Sequence, residues 1–324
     1  MQNMMILESG HIQTAHGIFG DVISHEKHET GEIRSLRLSG KNMLLTHAGE
    51  LIPAYSETER RKYKPSVEFH RNGMIKAVSL EEQQDIETPI GELPAELLTF
   101  YDTGELSRVF PLDGKISGFW SEEDEKELLI PFSFDLGFTQ FSARLSAISF
   151  FRDGAIRSIT IYPEERITVS TKYGAITVRH GISLYPDGEL ESLEPAEPVS
   201  LDTPIGRISA FDSEAVGITA DSNAVRFDRS GKLMSLTTTM HRIGVQTADE
   251  KFVWYAPAVF RASPDEDKEI TRSLRMEFLE NGVRFNDEER IHSIADSGFS
   301  ILPFTVGGTS CSPADCASCK LCLN

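Results

Sequence analysis

The sequence predicts an all-β protein: repeated antiparallel β-hairpins in an open meander or solenoid-like sheet, with a β-propeller as the alternative. Three observations predict it. A Gly-centred hairpin pattern recurs along the chain, a Thr-x-x-Gly element follows four of its copies, and helical periodicity is thin.

The first pattern is an apolar residue, a spacer, an aromatic or Leu, three mostly polar residues, Gly, a spacer and another apolar residue. It is built around Phe69 and Gly73, Phe100 and Gly104, Phe150 and Gly154, Leu184 and Gly188, and Phe227 and Gly231. A copy at Phe278 and Gly282 is shifted after its glycine, and a degenerate first copy surrounds Gly31. Alternation on both sides of the turn places side chains of one parity on one face. The pairs Asn72-Gly73, Asp153-Gly154, Asp187-Gly188 and Asn281-Gly282 are expected to supply the positive φ angles of a tight turn.

The second element reads Thr, two residues, Gly. It starts at Thr46, Thr88, Thr171 and Thr203, its glycine falling 18 or 20 residues beyond the preceding hairpin glycine, with an orphan start at Thr14. The return from its glycine to the next hairpin varies from 13 to 25 residues, which confines insertions, and partner-specific residues with them, to one segment of the unit. A hydroxyl used once per repeat points to turn chemistry rather than catalysis.

Leu93 to Leu98 and Ser263 to Arg275 have helical composition and are expected to form loops or one short helix. The acidic run from Ser121 to Glu127 reads as a solvated loop between strands. The repeats and the cysteine positions divide the chain into a body over 1–303 and a hinge with a cysteine tail over 304–324.

The Gly-centred hairpin with an aromatic four residues earlier resembles the MORN-type and MORN-variant repeats over residues 14 to 240. That resemblance implies hairpins following one another in a long antiparallel meander. The inserted Thr-Pro-Ile-Gly element and the longer units depart from the family pattern. A propeller competes because the mean turn-to-turn period is about 42 residues, close to a four-stranded blade. Individual periods range from 31 to 51, and the shortest leaves little room for four strands.

With 50 acidic against 32 basic residues, the formal net charge is −18. A nucleic-acid partner needs a basic stripe, and no basic run exceeds Arg60-Arg61-Lys62, so none is expected. The first ten residues lack the pattern of a secretory signal, and no stretch of about 18 apolar residues runs uninterrupted. A cytoplasmic protein without a membrane partner is the expectation.

All four cysteines, Cys311, Cys316, Cys319 and Cys322, fall in the last fourteen positions, so no disulfide framework is expected in the body. Four thiolates within twelve residues suffice to close one tetrahedral or cubane site. The Cys-x2-Cys-x2-Cys core resembles bacterial ferredoxin loops and implies an iron–sulfur cluster, although the fourth ligand, Cys311, precedes the run instead of coming from elsewhere. Zinc is the alternative metal; a redox disulfide and a terminus that binds nothing are the other readings. A strand over Phe299 to Val306 and a Gly307-Gly308 hinge precede the motif.

His25 and His28 have metal-like spacing but sit in a polar hairpin tip, where solvated histidines are the rule. There is no phosphate-cradling loop, no Gly-x-Ser-x-Gly, no His-Glu-x-x-His and no carboxylate pair that sequence alone can place. Whether the chain is an enzyme stays open. The reading that follows is a non-catalytic scaffold that binds a protein or small molecule, its cysteine tail holding the metal. Its alternatives are a redox or electron-transfer accessory using the tail cluster, and a substrate whose tail is handled by a maturation enzyme.

Overall fold

The computed structural model describes residues 5–7, 10–61, 64–114, 120–215, 220, 223–247, 251–263 and 266–305. Contacts divide the chain into two units, 1–196 with 216–223 and 228–231, and 197–215 with 224–227 and 232–324. Both are built of antiparallel strands. Among the described residues no helix is long and apolar enough to cross a membrane.

In the first unit ten strands lie side by side in chain order. They are Val22–Lys27, Ile33–Leu38, Val67–Phe69, Ile75–Thr88, Gly91–Phe100, Leu106–Phe110, Leu145–Phe150, Ile156–Ile161, Gly174–Leu184 and Leu190–Pro195. Every neighbouring pair is antiparallel. The sheet is open, so the chain is a meander and not a propeller. Alternation sets the buried face: Leu36, Val67, Phe69, Val78, Leu98, Ile148, Phe150 and Ile159 are fully enclosed. Each such side chain contributes about 1.5–3 kcal/mol by leaving water.

The Thr-x-x-Gly elements close a second set of hairpins. Leu44–Thr46 pairs with Gly49–Leu51, Ile167–Thr171 with the start of Gly174–Leu184, and the far end of Ile75–Thr88 with the start of Gly91–Phe100. Each keeps one face in the core, through Leu44, Leu51, Ile86, Leu93, Val169 and Ile176, and leaves the other to solvent. His11–Thr14 and Gly17–Phe19 form the first such hairpin, with Met5–Leu7 along its edge.

In the second unit Val225–Phe227, Leu233–Thr238, Leu274–Phe278, Gly282–Phe285 and Ile291–Ser293 are successive antiparallel neighbours. A three-stranded sheet sets His241–Gln246 between Phe252–Tyr255 and Gly298–Pro303. Two further hairpins are Val199–Thr203 with Gly206–Ala210 and Ala258–Ser263 with Glu266–Arg272.

Four expectations are corrected. The Gly-centred turns are three-residue turns with one positive φ, at the glycine; the preceding Asn or Asp keeps ordinary φ. Instead its side chain caps the turn, as Asn72 and Asp153 accept from the N–H two residues on at 3.1 Å. Gly282 has no positive φ, because the last hairpin closes one residue early, with Leu279 N–H donating to the Gly282 carbonyl at 2.8 Å. Leu93 to Leu98 and most of Ser263 to Arg275 are strand, since pairing with neighbouring strands overrides helical composition. Conversely the acidic run holds a helix, Glu122–Glu127. Ser121 and Asp124 form a reciprocal capping box, and four acids in the first turn suit the positive end of the helix dipole.

Candidate functional site

The predicted ligands Cys311, Cys316, Cys319 and Cys322 lie outside the described residues, as does the Gly307-Gly308 hinge. The strand expected before them is present as Gly298–Pro303, and Phe304 N–H donates to the Met240 carbonyl at 2.8 Å.

Within the first unit, the Gly-centred turns form a stapled edge. The residues opening three of these turns carry rings that reach the carbonyl of the aromatic residue just before the next turn. His28 Nε2 meets the Phe69 carbonyl at 3.1 Å, His70 Nε2 meets Phe100 at 3.0 Å, and Tyr101 O–H donates to Phe150 at 2.8 Å. Arg152 then reaches back, 2.8 Å from Asp102 and stacked over Tyr101 at 4.5 Å; Arg229 repeats this with Asp187 at 3.0 Å and Tyr185 at 4.9 Å. His28, weighed above as a metal ligand, is thus a structural link, and His25 is solvent-exposed. Among the described residues no cluster of three or more His, Cys, Asp or Glu side chains is placed to hold a metal.

The recurrent threonines behave as turn residues. Thr14, Thr46, Thr88, Thr171 and Thr203 each donate to the carbonyl of the glycine three residues on, at 2.5–3.0 Å. Each also accepts from the N–H two residues on, at 3.0–3.3 Å. In the first unit their tips ride over later Gly-centred turns. A Cβ at Gly154 would meet Pro89 at 3.1 Å, and one at Gly231 would meet Lys172 at 3.4 Å. One gap between tips is an apolar groove of about 370 Å³ under His16, His47, Met74 and Phe100. Burial lowers the pKa of His16 there.

A cavity of about 680 Å³ also belongs to the first unit. Arg37, Arg61, Lys64, Tyr55, Ser79 and Asp113 are on its walls. The strand Ile33–Leu38, the stretches 52–61 and 64–66, the strand Ile75–Thr88 and the loop holding Asp113 bring them together. Backbone bonds fix these walls: Ala54 N–H to Ser79 at 2.8 Å, Ser66 N–H to Leu36 at 2.8 Å and Ser79 N–H to Ser66 at 3.1 Å. The Arg61 guanidinium is locked by two carbonyls, Leu80 at 2.6 Å and Glu81 at 2.5 Å. Glu81 braces the segment from behind, accepting from Tyr55 N–H at 2.7 Å and Ser56 N–H at 3.1 Å and from the Ser56 hydroxyl. Burial pushes its pKa up, but these three donors, with the Arg61 charge, outweigh burial and hold it below the ordinary carboxylate value.

Beside the cavity lies a buried ionic network. Arg60 pairs with Glu96, approaches Glu125 at 3.8 Å, and donates to the Gly114 carbonyl at 3.3 Å. Glu96 also accepts from Asp113 N–H at 2.8 Å, and Asp113 holds Lys64 at 2.5 Å. Tyr162 donates to the Glu122 carbonyl at 2.7 Å. Its pKa is pushed up to about 12, chiefly by burial and then by the Glu125 charge.

Sequence reasoning noticed Arg60 and Arg61 only as a short basic run. Their partners lie 36 and about 20 positions away, and the one local signal was two adjacent arginines in an acidic chain. Comparison with family models, curated proteins and solved structures finds no match to this chain.

Proposed function

We propose that the protein is a non-catalytic β-repeat scaffold that binds a protein or small ligand, and that Cys311, Cys316, Cys319 and Cys322 hold an iron–sulfur cluster, with zinc as the alternative occupant. The hairpin rhythm shared with MORN-type repeats supports the scaffold half. So does the use of the recurrent polar groups: each repeated threonine hydroxyl, and the rings of His28, His70 and Tyr101, serve the backbone of a turn. The single observation that carries the metal half is four thiols within twelve residues of an otherwise cysteine-free chain. Thiolates kept for a metal need a reducing compartment, which makes the cytoplasm the proposed location and leaves membrane and nucleic acid out of the reading.

The test is elemental and optical. Protein prepared without oxygen is expected to be brown and to contain iron and acid-labile sulfide, or to be colourless with zinc. Cys316→Ser combined with Cys319→Ser is expected to remove the metal. Unchanged metal stoichiometry in that variant, or metal-free wild-type protein, refutes the assignment.

A further inference from the structure

We propose that the 680 Å³ cavity of the first unit binds a small polyhydroxylated anion, with its phosphate or carboxylate on Arg61 and Arg37 and its hydroxyls along the Tyr55 and Ser79 wall. The proposal stands independently of the cysteine segment.

Size is the first support. The volume lies within the range of about 300–1,000 Å³ usual for small-molecule sites, and backbone hydrogen bonds at Ala54, Ser66 and Ser79 fix part of its wall before binding.

Charge is the second. The lining carries three cations, Arg37, Arg61 and Lys64, against two carboxylates, Glu57 and Asp113. Asp113 is taken by Lys64 at 2.5 Å, and Glu57 is solvent-exposed. The wall therefore has an excess of one positive charge in a chain of formal net charge −18.

Arg61 decides the ligand's sign. A guanidinium has five N–H donors, and the two bonds from Arg61 go to the neutral Leu80 and Glu81 carbonyls. Among the described residues it makes no hydrogen bond to a carboxylate, although the chain holds 50 acidic residues. Those carbonyls fix the plane of the fork while leaving donors for an oxyanion, which is how a pre-organised arginine recognises phosphate or carboxylate.

The hydroxyls decide the rest of the ligand. Ser39, Ser56, Thr58, Ser66 and Ser79 line the cavity with Tyr55; Ser39 and Ser56 donate to the Asp21 carbonyl and to Glu81, so Thr58, Ser66, Ser79 and Tyr55 carry the hydroxyl surface, which suits a sugar better than an apolar body.

Isothermal titration of the full-length protein with glucose 6-phosphate, glucuronate, glucose and inorganic phosphate tests this. One or both sugar anions are expected to bind saturably, and at least tenfold more tightly than glucose or inorganic phosphate. Phosphate against glucuronate reveals which oxyanion the fork prefers. Arg37→Gln is expected to weaken binding about tenfold, and Arg61→Lys, which keeps charge but loses the fork, by a similar factor. Should Arg61→Lys fail to fold, Arg37→Gln and a loss of affinity with rising salt remain decisive. Absence of binding by both sugar anions, equal binding of glucose, or wild-type affinity in Arg37→Gln overturns the proposal.

Discussion

Replacing Glu96 by Gln isolates the charge at the centre of the buried network. The side chains of Arg60 and Glu96 are 12% and 7% exposed, which places the pair among buried ion pairs, where removing one partner costs about 3–5 kcal/mol. Gln keeps an acceptor for Asp113 N–H, so the loss is confined to Arg60. Arg60 retains the Gly114 carbonyl at 3.3 Å and Glu125 at 3.8 Å, which lowers the expected cost of Glu96→Gln to about 2–3 kcal/mol. Glu96→Leu, which also orphans the Asp113 N–H, is expected to cost about 1–2 kcal/mol more. Urea unfolding in a Trp254→Phe background, where Trp120 beside the capped helix is the remaining tryptophan, reads this region directly. A Glu96→Gln midpoint within about 0.5 kcal/mol of the reference would mean that water screens the pair, and would refute the argument from burial.

Gly181 and Gly49 separate clash from backbone strain. At Gly181 a Cβ would lie 1.9 Å from the Ile159 carbonyl, so Gly181→Ala is expected to abolish the native fold of the first unit by circular dichroism; Gly49→Ala meets no atom and is expected to lose only about 1–2 kcal/mol from its φ of +103°. Tyr101→Phe removes the hydroxyl that reaches the Phe150 carbonyl and is expected to cost about 1 kcal/mol in denaturant unfolding, whereas no loss would show that the staple is idle. In the second unit, burial first and Arg290 second lower the pKa of His292, which lies 2.7 Å from the Tyr255 hydroxyl. The unfolded chain then takes up this proton at higher pH than the folded one. Stability is complete above the ordinary histidine value of about 6.5 and is lost as pH falls through the lowered value. A melting series across that window should slope less steeply in His292→Asn, and an unchanged slope would remove His292 as the cause.

The hairpins were legible because their determinants are local. Phe69 to Gly73 and Thr88 to Gly91 each contain the whole instruction for a turn within five residues, and the structure uses both as turns. What escaped was set by partners distant in sequence. Leu93 to Leu98 has helix-favouring residues, yet Leu93 and Ala95 pair with Ile86 and Gln84, and burial of Leu93, Ala95 and Leu98 outweighs propensity. The helix at Glu122–Glu127 escaped for the opposite reason: its acids read as solvent-exposed charge, while Ser121 three residues before Asp124 carried the capping signal. Arg61 gave no hint of a cavity, because nothing in its neighbours names the Leu80 and Glu81 carbonyls.

Units of unequal length raise the question of what keeps successive hairpins in register. The ring staples supply an answer, because each spans two neighbouring turns and not the chain between them. Tyr101 holds the Phe150 carbonyl across 49 residues, a stretch containing the helix and the Phe132–Asp135 and Gln140–Ala143 hairpin, with nearly the geometry His70 uses across 30. Arg152 returning to Asp102 fastens the same two turns a second time. Loop-closure entropy grows only slowly with length, so an insertion between turns adds little cost once its ends are fixed by such links. Register in this meander is therefore carried along its stapled edge, and the segments between turns are free to diverge. The cavity lined by Arg37, Arg61 and Lys64 draws much of its wall from one of them, residues 54–58, 61, 64 and 66 between the Gly49–Leu51 strand and the Val67–Phe69 hairpin.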